Sequence, residues 1–374
     1  MSVCTAEQLL PEVMEAFDFN GPVLSTQRFG GGHVNDTFLL HTKAPSEAEG
    51  HYILQRLSSV AFKHPDEVMS NIMGVSEYLG RQIRSQGGNP ARESMAFMRT
   101  RTGDTYYTDS CGNAWRAYPF IDNIACYDTA ETPAVFAASG RAFGRFQSML
   151  VDYPADTLYE TIPHFHDTED RLAKLKHAVE TDPLDRAHLC RKEIDFALAR
   201  EADCSVVMEA QRKGILPLRV THNDTKLNNV LLDPVTGEGV CVIDLDTVMP
   251  GLSINDFGDS IRFGANHCAE DEQDLSKMYL DLEMFAAYTK GFLEGAGGSL
   301  TDAEVAYMPW GARLMTLECG IRFLTDYLLG DTYFHTQRPG QNLDRCRTQF
   351  KLVEDMEAHW DEMNEIVSQF RKKD

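Results

Sequence analysis

The sequence has no excess of basic residues, no long apolar run and no closely paired cysteines, and each absence closes off a class of protein. Thirty-five lysines and arginines stand against 57 aspartates and glutamates, a formal net charge of −22. A chain of that charge is a poor partner for nucleic acid or an anionic membrane surface. No stretch approaches the roughly 18 apolar residues that a membrane span requires. The opening segment "MSVCTAEQLLPEVMEAF" has neither the basic start nor the apolar run of a secretion signal. Nine cysteines, odd in number and without a C-x-x-C pair, read as reduced thiols of a cytoplasmic protein rather than a disulfide or zinc framework.

What is present is an ordinary globular composition, 43% hydrophobic and 25% charged over 374 residues. That length exceeds what one hydrophobic core usually covers, so two lobes are expected. The first third reads as strands, with candidates at 23–29, 33–42, 51–57, 95–100, 105–109 and 114–121, preceded by a short helix at 6–16. One helix interrupts them, from Pro65 to Gln86, where Val68, Ile72, Val75, Leu79 and Ile83 fall at helical spacing and Pro65 suits a first helical position. Beyond Thr132 the pattern turns helical, broken only by short β-like pieces between about 216 and 245, and ends in long helices at 302–329 and 342–371. The expected architecture is an α+β protein of two lobes, a β-rich N-terminal lobe at 1–119 and a mainly helical C-terminal lobe at 120–374.

Between the β-like pieces lies "RVTHNDTKLNNVLLD", in which His222, Asp224 and Asn229 fit the spacing H-x-D-x-x-x-x-N of a kinase catalytic loop. There the aspartate receives or orients the substrate hydroxyl, and the asparagine helps to hold magnesium. Taken alone, the spacing fits a polar turn equally well. Fifteen residues after Asn229, however, the apolar strand "VCVIDLD" delivers Asp244 and then Asp246, where kinases carry a metal-binding aspartate. Asn229, Asp244 and Asp246 are therefore the candidate metal ligands, Asp224 the candidate catalytic residue, and His222 a packing residue.

Upstream, "FGGGHVNDTFLL" places Gly30, Gly31 and Gly32 between two strands, where backbone N–H groups can approach phosphates. It lacks the protein-kinase pattern G-x-G-x-x-G, and a plain hairpin would use the same residues. In "HYILQRL" the position of the phosphate-gripping lysine falls on Gln55, with Glu67 and Glu77 on the next helix as candidates for the lysine's usual partner. "AYPFIDN" supplies the expected adenine hinge, with backbone recognition over Tyr118, Phe120 and Ile121. The chain departs from protein kinases in two ways. Asn223 replaces the arginine of H-R-D, and only eleven residues separate Asp244 from Asp256, too few for a peptide platform. A small-molecule acceptor is favoured.

The stretches "THNDTKLNNVLLD", "VIDLDTVMPG" and "NDFGDSIRFGA" resemble the aminoglycoside phosphotransferase superfamily, whose fold is protein-kinase-like and two-lobed. Within it the chain is most similar to the N-acetylhexosamine 1-kinases, nearly end to end, including "HYILQRL", "IPHFHDT", "DEQDLSK" and "TLECGIRFLTDYLLGDTYF". The glutamine at position 55 belongs to that subgroup's pattern. The resemblance implies transfer of the γ-phosphoryl of ATP, with Mg2+, to the anomeric hydroxyl of N-acetylglucosamine or N-acetylgalactosamine. It implies Asp224 as base, Asn229 and Asp244 as magnesium ligands, and Arg322 and Tyr333 as sugar contacts beside Asp224. Kinases for other small alcohols, such as aminoglycosides or choline, and an inactive nucleotide-binding module are the competing readings. His164 and His166 of "IPHFHDT" share a face if extended, but no further zinc ligand follows at the required spacing.

Overall fold

The computed structural model describes residues 5–30, 34–43 and 49–371. Helix α1 (Ala6–Glu15) precedes β1 (Val23–Arg28), β2 (Asp36–Lys43) and β3 (Glu49–Arg56). Then follow α2 (Pro65–Ser85), the single turn α3 (Pro90–Glu93), β4 (Tyr107–Thr108) and β5 (Ala114–Pro119). The five strands form one antiparallel sheet in the order β1-β2-β3-β5-β4. On one face Leu10 and Val13 of α1, with Phe17 just past it, are buried against Phe38, Leu40, Leu54 and Trp115. On the other, α2 lays its predicted stripe of Val68, Ile72, Val75, Leu79 and Ile83 over Leu57 and Ala114, and onto Val220, Leu245 and Val248 of the second lobe.

The helical part begins with α4 (Pro133–Met149), α5 (Thr168–Thr181), α6 (Arg191–Leu198), α7 (Glu201–Cys204) and α8 (Val206–Arg212). Four short strands then make two hairpin-like pairs, β6 (Arg219–Thr221) with β9 (Met249–Gly251), and β7 (Val230–Leu232) with β8 (Gly239–Val242). The chain closes with α9 (Ser253–Gly264), α10 (Leu282–Ala296), α11 (Asp302–Leu329), α12 (Gln341–Ala358) and α13 (Trp360–Phe370). Thr301 and Glu304 start α11 with a reciprocal capping box, and Gly330 ends it at φ +105°. Helix α9 is buried along nearly its whole length. It reaches α11 so closely that a Cβ on Gly258 would lie 2.2 Å from the Gly311 carbonyl oxygen, a crossing that only glycine permits.

Three sequence readings need correction. Residues 95–100 form no strand; Thr100 makes one isolated bridge to Phe17, and the Met98 N–H reaches the Ala117 carbonyl. The helix expected at 342–371 is two helices, broken at His359, whose backbone sits at φ −105°, ψ 26° and whose Nδ1 lies 2.9 Å from the Asp355 carbonyl. The break lets Trp360 meet Trp310 edge to face at 5.2 Å. Cys111, in the exposed turn before β5, is disulfide-bonded, whereas seven other cysteines are free; sequence spacing carried no sign of that pairing. Among the described residues no helix is long and apolar enough to cross a membrane.

Candidate active site

The loop joining β6 to β7 is held from beneath by α9. Asp256, wholly buried, accepts the backbone N–H of His222 at 2.9 Å and of Asn223 at 2.8 Å, and the Gln147 amide at 2.6 Å. Asp259 accepts the Thr225 N–H at 3.0 Å, while Thr225 Oγ1 donates to the Asp256 carbonyl and Ser260 Oγ to the Thr225 carbonyl. Burial raises the pKa of Asp256 against the pull of its donors. Two carboxylates spaced i, i+3 on one helix thus satisfy the loop's backbone donors. The local sequence "NDFGDS" positions a loop 30 residues away.

Within that frame Asp224 points outward, its side chain 26% exposed and 2.8 Å from Lys226 Nζ. Asn229 donates to the Asp224 backbone carbonyl at 2.8 Å and approaches its Oδ2 at 3.3 Å. His222 is fully buried between Phe143 and Phe146. Its Nε2 donates to the Ile243 carbonyl at 2.8 Å and its Nδ1 accepts the Asp224 N–H at 3.3 Å. It shapes the loop, as its sequence context indicates. Burial lowers Lys226, but the Asp224 carboxylate holds it above its ordinary value.

Asp244 follows β8 and sits in the left-handed region at φ 61°, as does Asn223 at φ 65°, a conformation that Asp and Asn tolerate better than other side chains. Asn223 uses its amide to hold the Thr247 carbonyl at 2.8 Å, so the residue replacing the H-R-D arginine ties the two functional loops together. Burial, then the carboxylates of Asp246 and Asp224, push Asp244 up to about 7, against Arg116 and Lys226. The Ile243 N–H donates to the Asn229 carbonyl at 2.9 Å, joining the two candidate metal positions. Among the described residues no three His, Cys, Asp or Glu side chains close on one metal position; Asn229 and Asp244 are the oxygen donors that a hard divalent cation could use, with water and phosphate completing its shell.

Asp246 is buried, and both of its oxygens have protein partners, Arg116 in an ion pair and Asn35 at 2.7 Å. Gln55 is also engaged. Its oxygen accepts from Arg116 Nε and Nη2 at 3.0 and 2.7 Å, and its amide nitrogen reaches Thr37 at 3.0 Å. Glu77 lies exposed, paired with Arg99 at 3.6 Å. Gly30 turns at φ +78° with open space around it; Gly31 and Gly32 lie outside the described residues. At the hinge, Phe29 meets Phe120 edge to face at 5.4 Å, and the Phe120 N–H is taken by the His51 carbonyl at 2.9 Å. Tyr118 and Ile121 pack on the core under α2, and burial raises the Tyr118 phenol.

The segment before α5 joins α11 to the catalytic loop. His166 bridges Glu318 at 3.1 Å and the Asn223 carbonyl at 3.2 Å, and Thr168 also reaches Glu318. His164 instead turns to Asp167, which caps α5 through the Asp170 N–H. The two histidines therefore diverge. A cavity of about 280 Å³ opens here, lined by Phe165, His166, Asn223, Met249 and Asn255 among others. One turn along α11 from Glu318, the Arg322 guanidinium lies 5.7, 5.8 and 5.3 Å from the rings of Phe165, Tyr333 and Phe334. It makes no hydrogen bond or ion pair among the described residues. Tyr333 is 70% exposed, and its backbone is held by Asp326, which accepts the N–H groups of Thr332, Tyr333 and Phe334 at 2.8–2.9 Å. Arg116, Asn35 and Glu318 were not picked out from the sequence. Arg116 had a signal, an arginine inside the apolar strand "AWRAYPF".

The phosphotransferase enzyme family matches residues 25–290, more than half of the chain, and the chain belongs to that family. Its members transfer phosphoryl groups to alcohols, and the two-lobed architecture described above is the kinase-like one. An aminoglycoside phosphotransferase from Alicyclobacillus acidocaldarius superimposes with a TM-score of 0.59 at 15% identity, over 98% of this chain and 99% of that one. A choline kinase from Cryptosporidium parvum gives 0.56 at 11% identity, over 92% of each chain. An amicoumacin kinase in complex with AMP-PNP and Ca2+ gives 0.56 at 14% identity, over 94% of each. At these identities the likeness is one of fold.

Proposed function

We propose that this protein is an ATP-dependent kinase that phosphorylates the anomeric hydroxyl of an N-acetylhexosamine to give the sugar 1-phosphate. The observation that carries the reading is the link between the catalytic loop and a second cluster on α11, made by His166 on the Asn223 carbonyl. On the loop side are Asp224 with Asn229 and Asp244. On the other is Arg322, which has no hydrogen-bond partner among the described residues and lies among three aromatic rings, reached through Phe165 and His166. A nucleotide would lie between the lobes, residues 1–119 and 120–374, as the kinase-like fold leads one to expect.

Asn229 and Asp244 would hold Mg2+, with Asp246 nearby; bound there, the ion neutralises charge on the transferring phosphoryl group. Asp224 orients the sugar hydroxyl toward the γ-phosphorus and takes its proton as transfer proceeds, and Lys226 beside it faces the developing negative charge. The Gly30–Gly32 turn, Gln55 and the hinge at Tyr118, Phe120 and Ile121 would receive ATP. Arg322 offers fork-like donors to an acetamido carbonyl or hydroxyls, and the exposed face of Tyr333 can cover a sugar ring. A cationic acceptor such as choline or an aminoglycoside fits less well, because the aromatic surround that would stabilise its charge already holds a guanidinium.

The test is a panel of N-acetylhexosamines, plain hexoses, choline, ethanolamine and aminoglycosides with ATP and Mg2+, scored by ADP release and by phosphorus NMR of the product. An anomeric phosphate on an N-acetylhexosamine is the expected result. Faster transfer to a different alcohol, or no transfer at all, overturns it.

A further inference from the structure

Gln55 leaves the phosphate-gripping position of β3 without charge, but the neighbouring strand supplies one. Gln55 and Arg116 are direct register partners across β3 and β5. Arg116 is 1% exposed, an arginine in an otherwise apolar strand. A buried cation is retained only where its partners compensate desolvation. Its partners are specific: two donors go to the Gln55 oxygen at 3.0 and 2.7 Å, and the third nitrogen pairs with Asp246. Phe97 lies against the guanidinium, 5.4 Å from ring centre to carbon. Asp246 is held in turn by Asn35, five residues after Gly30, at 2.7 Å. Asn35 also accepts the Ser58 N–H at 3.0 Å, just past β3.

Four elements that would meet the phosphates therefore converge on one hydrogen-bonded unit: the turn after β1, β3, β5 and the segment carrying Asp244. We infer that Arg116 is this chain's phosphate-side cation, standing one strand over from the kinase lysine. Asp246 is its anionic holder, the part a helix glutamate plays in protein kinases. Gln55 is then the spacer that aims the guanidinium. Glu77, one of the two candidate helix glutamates, is instead paired with Arg99 on the surface. The inference rests on the kinase reading above, but not on the sugar assignment.

The experiment measures Mg-ADP binding by calorimetry, without acceptor, in Arg116→Gln, Arg116→Lys and the transposed pair Gln55→Lys with Arg116→Gln. The transposition returns a single cation to β3 opposite Asp246. Arg116→Gln should weaken Mg-ADP at least tenfold, Arg116→Lys less, and the transposition should restore binding to within about threefold. In turnover assays the loss should appear in KM for ATP, with KM for the acceptor unchanged. A cooperatively melting Arg116→Gln with wild-type affinity overturns the inference, as does a folded transposition variant that does not bind. Should Arg116→Gln fail to fold, the transposition and Arg116→Lys decide by the same criteria. Failure of the sugar assignment alone would leave these nucleotide affinities as expected.

Discussion

Asp256 accepts the backbone N–H of Asn223 at 2.8 Å, so a carboxylate at the start of α9 sets the chain direction one residue before Asp224. With the His222 N–H on its other oxygen, it leaves the catalytic loop little freedom to turn. Asp256→Ala would strand three buried donors, the two backbone N–H groups and the Gln147 amide. A loss of about 3 kcal/mol in stability is expected, as for breaking buried charged hydrogen bonds. Denaturant unfolding measures it, and a change under about 1 kcal/mol would show that the loop is held by other means.

Asp224 itself supports little structure. It is partly exposed, and among the described residues its side chain pairs with Lys226 and Asn229. Asp224→Asn should melt like the wild type and turn over two to four orders of magnitude more slowly, the range ascribed to a positioned acid or base. Activity near wild type in a steady-state ADP-release assay would remove Asp224 from its assigned role.

Arg322 and Tyr333 are expected to act on the acceptor and not on the nucleotide. Tyr333→Ala, at an exposed site, should alter stability by no more than about 0.5 kcal/mol. Arg322→Ala should raise KM for the sugar about tenfold, roughly 1.4 kcal/mol, and leave KM for ATP unchanged. A parallel rise in both constants would mean that the cluster supports the lobe as a whole.

Acid sensitivity should follow Glu304. Burial raises this carboxyl, but Arg219, whose Nε and Nη2 reach its two oxygens at 3.0 and 2.7 Å, together with Ser253 and the Thr301 N–H, carries it below its ordinary value. A group whose folded pKa is depressed adds stability above its unfolded pKa and loses it as pH falls through the folded value. The melting-temperature gap between wild type and Glu304→Gln should be constant above about pH 5.5 and narrow below about 4.5. A gap independent of pH between 3 and 7 would contradict this.

The sequence by itself determined the elements with strong local signals. Pro65 and the spacing from Val68 to Ile83 specify α2, and Thr301 with Glu304 marks the start of α11. The run from His222 to Asn229 displays its chemistry because a catalytic loop keeps its working residues within a few positions of one another. Tertiary structure decided what depends on partners distant in the chain. Whether Asp246 stands free or paired is set by Arg116, 130 positions away, and by Asn35. His166 and Glu318 meet across 152 positions. The strand expected at 95–100 is drawn along β5 without pairing fully, and the last helix bends so that Trp360 reaches Trp310. Such pairings depend on the closing of long loops around a common core, and side-chain spacing along the chain records nothing of them.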